Sequence, residues 1–583
     1  MSQSLGSYCE IFRDAIAWIR LTDAAFSSKP HVTVNPSLDQ GTGRPLSASV
    51  FKTLAPGAIL ILLYSSATIL IHPFANLPFH DDWTYAWSVE HLLNTGELQV
   101  LDWSVHYPFT QILWGALFCL PFGFSFSALR VSTVVLAWLG ALALYGTLRE
   151  LGRARSESLI ATVVLVTNPV FFVLSFSFMT DVPFVSSANI AFFFIVRGVC
   201  RRNSFELCVG CVFAICALFI RQVAVAIPAS LLLYFLFAPS HRSWRYLLPT
   251  TAFCLLCSLT PVFIAQIFGV TSQSKFLTTW VIDFWLHHYN QAVPGVLRIL
   301  MHGGLGLLPL SIPIVASVYR RPLFWGTVTA LFILTGCSIL FGGEIPNPQD
   351  GMWQLNTLGR ERHLLQGPPA PDFLPSWLNP PLFMLSLFSS AVMIVKVVDV
   401  IRASIGNPLG LFVWYASIQF ALIMALWFFG PWGSDRYSVV LLPPLIVILT
   451  NSRLRSKIAL ASIGVLFALS MLVTWNESQT SRAIAEALAW LRGKNIPFAH
   501  IDAGYVFNGW NLYAHPENLS SGAVAERDVP LVTSKENKPY VIAASSIAGY
   551  RVIREYRWAI PLTSFEPKVY VLEQLSHMSK NKD

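Results

Sequence analysis

Charged residues are scarce in this sequence. Asp, Glu, Lys and Arg make up 12% of its 583 residues, whereas a soluble protein carries about a quarter. Apolar runs of about 20 residues recur instead, each long enough to cross a bilayer. These features exclude a soluble globular protein and predict a polytopic α-helical membrane protein. The net charge of +8 lies in short clusters between apolar runs, so it reflects membrane orientation and predicts no nucleic-acid partner.

Lysine and arginine are absent from residues 53–129. That stretch nevertheless contains five acidic residues, namely Asp81, Asp82, Glu90, Glu97 and Asp102. Because basic residues concentrate in cytoplasmic loops, the loop at 73–126 is predicted to lie outside the cytoplasm. Residues 1–52, which carry several basic residues, are predicted to form a cytoplasmic tail.

The apolar segment 107–121 in this loop is too short to span a membrane comfortably and has a proline near each end. If it crossed the membrane, every later basic cluster would face outward. If it lies flat on the outer surface, all of those clusters face the cytoplasm, so we predict an interfacial helix. About thirteen spans then remain, with the N-terminus inside and the C-terminus outside. They are 54–72, 127–148, 158–176, 182–199, 205–220, 222–239, 247–268, 297–318, 323–341, 381–401, 409–430, 437–451 and 457–475.

Cysteine is absent from residues 476–583, although the chain has nine cysteines elsewhere, so no disulfide framework is predicted there. The pattern in this region changes to a helix at 481–493 and strands at 498–502, 540–544 and 569–572. We predict a small extracytoplasmic α/β domain at 476–583, following a transmembrane domain at 53–475. The turn after its first strand is favoured as structural over a glycan- or peptide-binding role.

Two adjacent carboxylates, Asp81 and Asp82, stand at the start of an amphipathic helix that ends before Gly96. One aspartate would cap this helix, but capping does not require two. Adjacent like charges at a low-dielectric surface raise one pKa, and a carboxylate with a raised pKa accepts protons more readily. We therefore predict that the pair acts in catalysis, with Asp81 or Asp82 as general base, and that capping can coexist with this role.

Three further charged residues are predicted on the outer side. Asp181 is a lone acid between two apolar helices, with helix capping as the alternative role. Arg436 could hold a phosphate through a forked contact, whereas the alternative is an interfacial ion pair with Asp435 beside a membrane-anchoring Tyr437. Arg221 could face an anionic head group or simply snorkel to the interface. The histidines of the chain lack metal-ligand spacing, so no metal site is predicted.

Carboxylates and arginines on one surface suit sugar transfer from a lipid phosphate. The phosphate leaving group needs cations rather than protonation. The acceptor hydroxyl needs a base opposite the leaving group, so direct displacement inverts the anomeric configuration. The alternative function is a transporter or flippase for a lipid-linked or polar solute. Transporters place ionisable residues near the bilayer midplane, often in inverted repeats, and no repeat is visible here.

The order of the motifs resembles the GT-C membrane glycosyltransferases of family 39 type, which include protein O-mannosyltransferases and lipid A aminoarabinose transferases. The motifs are the acidic pair with Tyr85, the interfacial helix after His106-Tyr107-Pro108, a helix with the early Arg130, the turn Thr180–Pro183 and the late Arg436-Tyr437. The resemblance implies a GT-C fold of thirteen helices and a polyprenyl-phosphate sugar donor. It covers about residues 54–475.

By this resemblance Asp81 is the catalytic base, Asp82 its acidic neighbour and Asp181 a second acidic site residue. Tyr85, His106 and Tyr437 are expected to line the substrate pocket. Thr84 stands where the aminoarabinose enzymes have an arginine, and His106-Tyr107-Pro108 where they have Lys-Pro-Pro, so donor identity does not transfer.

The predicted partners are a polyprenyl-phosphate sugar, membrane lipid and a glycan, lipid or protein acceptor at the bacterial cytoplasmic membrane. No cofactor is predicted, and a divalent metal stays open because the need for one varies within the group.

Overall fold

The structure, a computed structural model, describes residues 46–73, 75–238, 244–271, 274–275, 279, 287, 292–340, 365–366, 376–404, 406–427, 435–452, 456–519, 538–561 and 566–575. The chain divides into two units, residues 1–63 and 64–583. Most of the predicted cytoplasmic tail, residues 1–45, lies outside the described residues. Residues 46–52 already belong to the first helix.

Helices make up most of the described chain. They are α1 (Leu46–Ile71), α2 (Asp82–Thr95), α3 (Phe109–Cys119), α4 (Phe126–Glu150), α5 (Arg155–Val166), α6 (Pro169–Ser175), α7 (Asp181–Arg201), α8 (Ser204–Leu218), α9 (Ala226–Phe237), α10 (Trp244–Phe268), α11 (Ala292–Gly306), α12 (Leu308–Val318), α13 (Pro322–Leu340), α14 (Asn379–Ser404), α15 (Pro408–Trp427), α16 (Leu442–Leu449), α17 (Ser456–Gly493) and α18 (Gly504–Asn508). Short 3-10 helices at Gln222–Val225 and Asp435–Leu441 precede α9 and α16.

Seven of the described helices are long and apolar enough to cross a membrane. Two bent pairs, α5 with α6 at 68° and α11 with α12 at 94°, bring the number to nine if each pair is one span. The polytopic helical class is therefore confirmed. Each of the thirteen predicted spans overlaps a helix or a bent pair, but for four of them the described apolar segment has only 10–17 residues, so the count of thirteen stays a prediction.

The predicted interfacial helix corresponds to α3, which has 11 residues. At 1.5 Å per residue it is about 16 Å long, roughly half the thickness of the hydrocarbon core. Pro108 precedes its first turn, and Leu113 and Leu117 leave an apolar face exposed. A helix of this length and character fits a position along the membrane surface better than a crossing.

The C-terminal region contains a four-stranded sheet of order β1-β2-β4-β3, formed by β1 (Ile501–Asp502), β2 (Tyr540–Ala543), β3 (Tyr550–Arg557) and β4 (Lys568–Gln574). β1 and β2 are parallel, whereas β4 is antiparallel to both β2 and β3. The sheet buries Ile542 and Val571 against Ala487 and Leu491 of α17. The predicted small α/β region is thus confirmed.

Three details differ from the predicted elements. Helix α17 has 38 residues and runs without a break through the span at 457–475 and the helix at 481–493. No glycine or proline occurs between residues 465 and 492, so nothing in the sequence interrupts it at residue 476. The strand expected at 498–502 is a 3-10 turn followed by only two strand residues. Strand β3, whose residues are mostly polar or charged, was not predicted.

Candidate active site

The two adjacent aspartates have different surroundings. Asp81 precedes α2 as its N-cap residue, but within the described residues its side chain makes no capping hydrogen bond. Its Oδ1 instead accepts a hydrogen bond from the Tyr505 hydroxyl at 2.7 Å, and its Oδ2 lies 3.3 Å from Arg436 Nη1. The side chain of Asp81 is 33% exposed. Asp81 therefore faces a charged cluster that solvent or substrate can reach.

Asp82 is fully buried, and its side chain contacts backbone amides. Its two oxygens accept the backbone N–H groups of Phe79 at 2.6 Å and Phe178 at 3.2 Å. Burial raises the pKa of Asp82 to about 7, while the Arg130 charge and the two amides lower it. The predicted rise in pKa thus falls on Asp82, and its main cause is burial rather than the neighbouring charge. Asp82 ties the acidic loop to the turn before α7.

Arg130 in α4 holds the chain that leads to this pair. Its guanidinium donates to the carbonyl oxygens of Pro73 and Ala75 at 2.7 Å and of Leu77 at 2.6 Å. Arginine is suited to this position because its rigid fork can donate to several carbonyls at once. The early arginine of the sequence motif therefore fixes Pro73, Ala75 and Leu77, a few residues before Asp81.

Asp181 and Arg221 form a buried ion pair. Asp181 begins α7, and its Oδ1 is 2.7 Å from Arg221 Nη1 at the turn between α8 and α9. The side chains are 0% and 6% exposed, so Arg221 does not snorkel towards the interface. Among the described residues, Oδ2 of Asp181 has no hydrogen-bond partner. Capping alone does not explain an aspartate that holds a buried arginine.

The two predicted arginines meet at one aromatic ring. The guanidinium of Arg436 lies 5.2 Å from the ring centroid of Tyr437, and that of Arg221 lies 5.7 Å from the same centroid. Arg436 also donates from Nη2 to the Tyr437 hydroxyl at 3.4 Å. Its Nε is buried and, within the described part of the chain, lacks a hydrogen-bond acceptor. The side chain of Asp435, the alternative partner, lies outside the described residues.

Tyr85 and His106 lie in the field of the same charges. Burial and the charge of Asp81 raise the pKa of Tyr85, so its hydroxyl stays protonated. Removal from water, with the positive charge of Arg221, lowers the pKa of the half-buried His106 to about 3. Its Nδ1 pairs with Gln222 Oε1 at 3.0 Å, so His106 is a neutral group beside the arginine turn. The structure thus brings every predicted site residue except Asp82 to one cluster.

Two neighbours of Asp81 were not predicted. His80 is buried in the left-handed backbone region at φ 49°, an uncommon conformation for a residue with a side chain, and burial lowers its pKa to about 4. Tyr505 lies 424 positions further along the chain, in the C-terminal domain. No local sequence pattern predicts a contact between residues so far apart in the chain. The turn that contains Tyr505 was interpreted as structural.

The described residues contain no group of three or more His, Cys, Asp or Glu side chains placed to hold a metal ion. Asp81 and Asp181 are each paired with an arginine instead.

Comparison with known proteins gives one family match, and no curated protein matches the chain. Two solved structures are similar to 91% of this chain and 99% of their own. They are ArnT from Cupriavidus metallidurans in the apo state, with 13% identity and a TM-score of 0.38, and the same protein bound to undecaprenyl phosphate, with 12% identity and a TM-score of 0.39. Residues 106–268, which include His106, Asp181 and Arg221, match the family of dolichyl-phosphate-mannose-protein mannosyltransferases. The match covers less than half of the chain and agrees with the resemblance to the GT-C membrane glycosyltransferases that the order of the motifs predicted.

Proposed function

We propose that this protein transfers a sugar from a polyprenyl phosphate to an acceptor hydroxyl, with inversion of the anomeric configuration. The reaction takes place at the outer surface of the bacterial cytoplasmic membrane, with the N-terminus inside and the C-terminal domain outside. The observation that carries the proposal is the convergence of Asp81, Arg436 and the Asp181–Arg221 pair around Tyr437. The donor class follows the matched family, whose description names a dolichyl-phosphate sugar.

Asp81 is the residue suited to act as the base. It is the carboxylate of the acidic pair that a substrate can reach, since its side chain is 33% exposed and that of Asp82 is fully buried. The acceptor oxygen attacks the anomeric carbon while its proton passes to Asp81. The bond from the anomeric carbon to the phosphate oxygen breaks, and its electron pair remains on the phosphate. Attack opposite the leaving group inverts the configuration.

Arg436 and Arg221 supply the positive charge that stabilises the departing phosphate. Their contacts differ in strength, because Arg221 lies 2.7 Å from its carboxylate partner and Arg436 lies 3.3 Å from Asp81. The buried Nε of Arg436 has no acceptor within the described residues, and a phosphate oxygen would satisfy it. When Arg436 donates hydrogen bonds to a phosphate, its contact with Asp81 weakens. Donor binding would thereby release the base for the acceptor hydroxyl.

Asp181 and Asp82 act through other groups. Asp181 orients Arg221 by a buried ion pair, and Asp82 anchors the loop that carries Asp81. We therefore assign positioning roles to both residues, although the sequence analysis expected them to take part in catalysis directly. This division of roles explains why the site contains three aspartates and needs only one of them to accept a proton.

The transporter alternative fits the site less well. An alternating-access site lies near the bilayer midplane, commonly on broken helices. Here the four paired charges lie at helix ends and turns: Asp81 precedes α2, Asp181 begins α7, Arg221 lies in a turn, and Arg436 lies in a 3-10 helix. The match to a transferase family also favours the enzyme.

Lipid and glycan mass spectrometry of a deletion strain tests this function. The strain is complemented with the wild-type chain, with Asp81→Asn, or with Glu97→Gln, which alters an exposed acid of the same outer loop. We expect the wild type and Glu97→Gln to restore the missing glycan and Asp81→Asn to leave the donor lipid unused. Comparable membrane levels of the three proteins are checked by immunoblot. Full restoration by Asp81→Asn would show that the base is misassigned.

A further inference from the structure

We propose that Tyr505 of the C-terminal domain is a positioning residue of this active site, so that this domain takes part in catalysis. The proposal rests on the proposed function, because it concerns the orientation of Asp81 as the base. The sequence offered no reason to connect the C-terminal domain with the chemistry. The proposal is based on a chain of hydrogen bonds between the outer loop and the C-terminal domain.

Tyr505 makes two hydrogen bonds whose directions are determined. The indole Nε1 of Trp103 lies 2.9 Å from the Tyr505 oxygen, and the Tyr505 oxygen lies 2.7 Å from Asp81 Oδ1. An indole N–H can only donate, so Tyr505 accepts from Trp103 and directs its single proton to Asp81. Removal from water and the charge of Asp81 raise the pKa of Tyr505, so the hydroxyl keeps this proton at neutral pH.

The C-terminal domain holds Tyr505 firmly in this position. Helix α18 begins at Gly504, whose φ of 79° favours glycine and whose N–H donates to Asp502 Oδ1 at 2.9 Å. The Asn508 side chain donates to the same Asp502 oxygen at 2.8 Å. The short helix that carries Tyr505 is thus fixed at both ends by one buried carboxylate.

A second contact holds this segment against the acidic loop. A Cβ atom added at Gly509 would lie 2.5 Å from the Trp83 ring, so the backbone approaches α2 as closely as only glycine permits. His515 Nε2 lies 2.9 Å from Glu90 Oε2 of the same helix. Tyr505 therefore reaches Asp81 through a packed interface with α2.

The two oxygens of Asp81 are held from different parts of the chain. Arg436, from the helical part, contacts Oδ2, and Tyr505, from the C-terminal domain, contacts Oδ1. A carboxylate offers about four lone-pair sites, so both contacts leave room for an acceptor hydroxyl. Once a donor phosphate engages Arg436, the Tyr505 hydrogen bond is the contact that keeps Asp81 aligned. The expected effect of Tyr505 is therefore on turnover and not on donor binding.

The test compares Tyr505→Phe with Tyr550→Phe in the full-length protein. Tyr550 lies in the same domain and donates to a backbone carbonyl at 2.8 Å, so its variant controls for the loss of a hydroxyl away from the site. Donor lipids purified from the deletion strain serve as the probe, and membranes of that strain supply the acceptor. We expect kcat to fall about 10- to 100-fold in Tyr505→Phe, as for a misaligned base, with KM for the donor unchanged. Tyr550→Phe keeps the wild-type kcat.

A further variant, Trp103→Phe, keeps Tyr505 but removes the donor that orients its hydroxyl, and we expect a smaller fall in kcat at unchanged KM. If Tyr505→Phe does not fold, the Trp103→Phe variant serves as the test of the role of Tyr505. The proposal is overturned if the folded Tyr505→Phe protein keeps kcat within twofold of wild type. If Tyr505→Phe does not fold, the proposal is overturned when Trp103→Phe leaves kcat unchanged. If Asp81→Asn is active as well, the proposed function has failed. If Asp81→Asn is inactive and Tyr505→Phe is fully active, only the role of Tyr505 is wrong.

Discussion

The Asp181–Arg221 pair allows the structural and catalytic contributions of a buried charge to be separated. Its side chains are 0% and 6% exposed and 2.7 Å apart. Removing one partner of such a pair leaves an uncompensated buried charge, which costs about 3–5 kcal/mol of the free energy of unfolding. Replacing both partners by apolar side chains of similar volume is often neutral. We therefore expect Asp181→Leu and Arg221→Met to destabilise the protein singly and to be close to wild type together.

The measurement is unfolding by SDS titration in mixed micelles for the wild type, both single variants and the double variant. Transfer from purified donor lipid is measured on the same preparations. The double variant should regain stability but not activity, because the cation that stabilises the phosphate is absent. The ion pair is not structural if both single variants unfold like the wild type. If the stable double variant transfers sugar at the wild-type rate, the assignment of Arg221 to the donor phosphate is refuted.

Three other outcomes follow from the surroundings of the acidic loop. Burial raises the pKa of Asp82 to about 7, so the native state retains a proton that the unfolded chain releases from about pH 4 upward. Stability should therefore decrease between about pH 4 and pH 7, and Asp82→Asn should lack this slope in unfolding measured across that range. Arg130→Lys replaces a planar fork of two donor nitrogens by a single nitrogen that cannot reach all three carbonyl oxygens in the same geometry, and it should reduce transfer about 10-fold while exposing the segment around Ala75 to limited proteolysis. Gly509→Ala places a Cβ against Trp83 and should reduce transfer, whereas Gly549→Ala, which meets open space at φ 86°, should affect only the stability of its own turn.

Several features of the molecule could be predicted from composition and periodicity. Apolar runs give the positions of the helices, whereas the position of the acidic loop outside the cytoplasm, inferred from the absence of basic residues at 53–129, stays a prediction. Prolines around α3 marked a helix too short to span. These signals are local, and each is present in a window of about 20 residues.

The individual roles within the site could not be predicted in this way. Asp81 and Asp82 are adjacent and chemically identical, and only tertiary packing buries one and exposes the other. Strand β3 was missed because its half-exposed, charged residues do not alternate as a strand pattern requires. Tyr505 reaches Asp81 across 424 positions, a contact that depends on how the C-terminal domain packs against α2. Local patterns carry no information about such a contact.

In the proposed reaction Asp81 accepts the proton while Arg436 holds the phosphate. The most direct measurement compares donor binding with transfer in purified Asp81→Asn and Arg436→Gln proteins, using undecaprenyl phosphate for binding and deletion-strain donor lipid for transfer. We expect Asp81→Asn to bind undecaprenyl phosphate like the wild type and to transfer no sugar. Arg436→Gln should bind about 10-fold more weakly, since a charge-assisted hydrogen bond is lost. Transfer at the wild-type rate by Asp81→Asn would contradict its role as the base, and unchanged binding by Arg436→Gln would contradict its role at the phosphate.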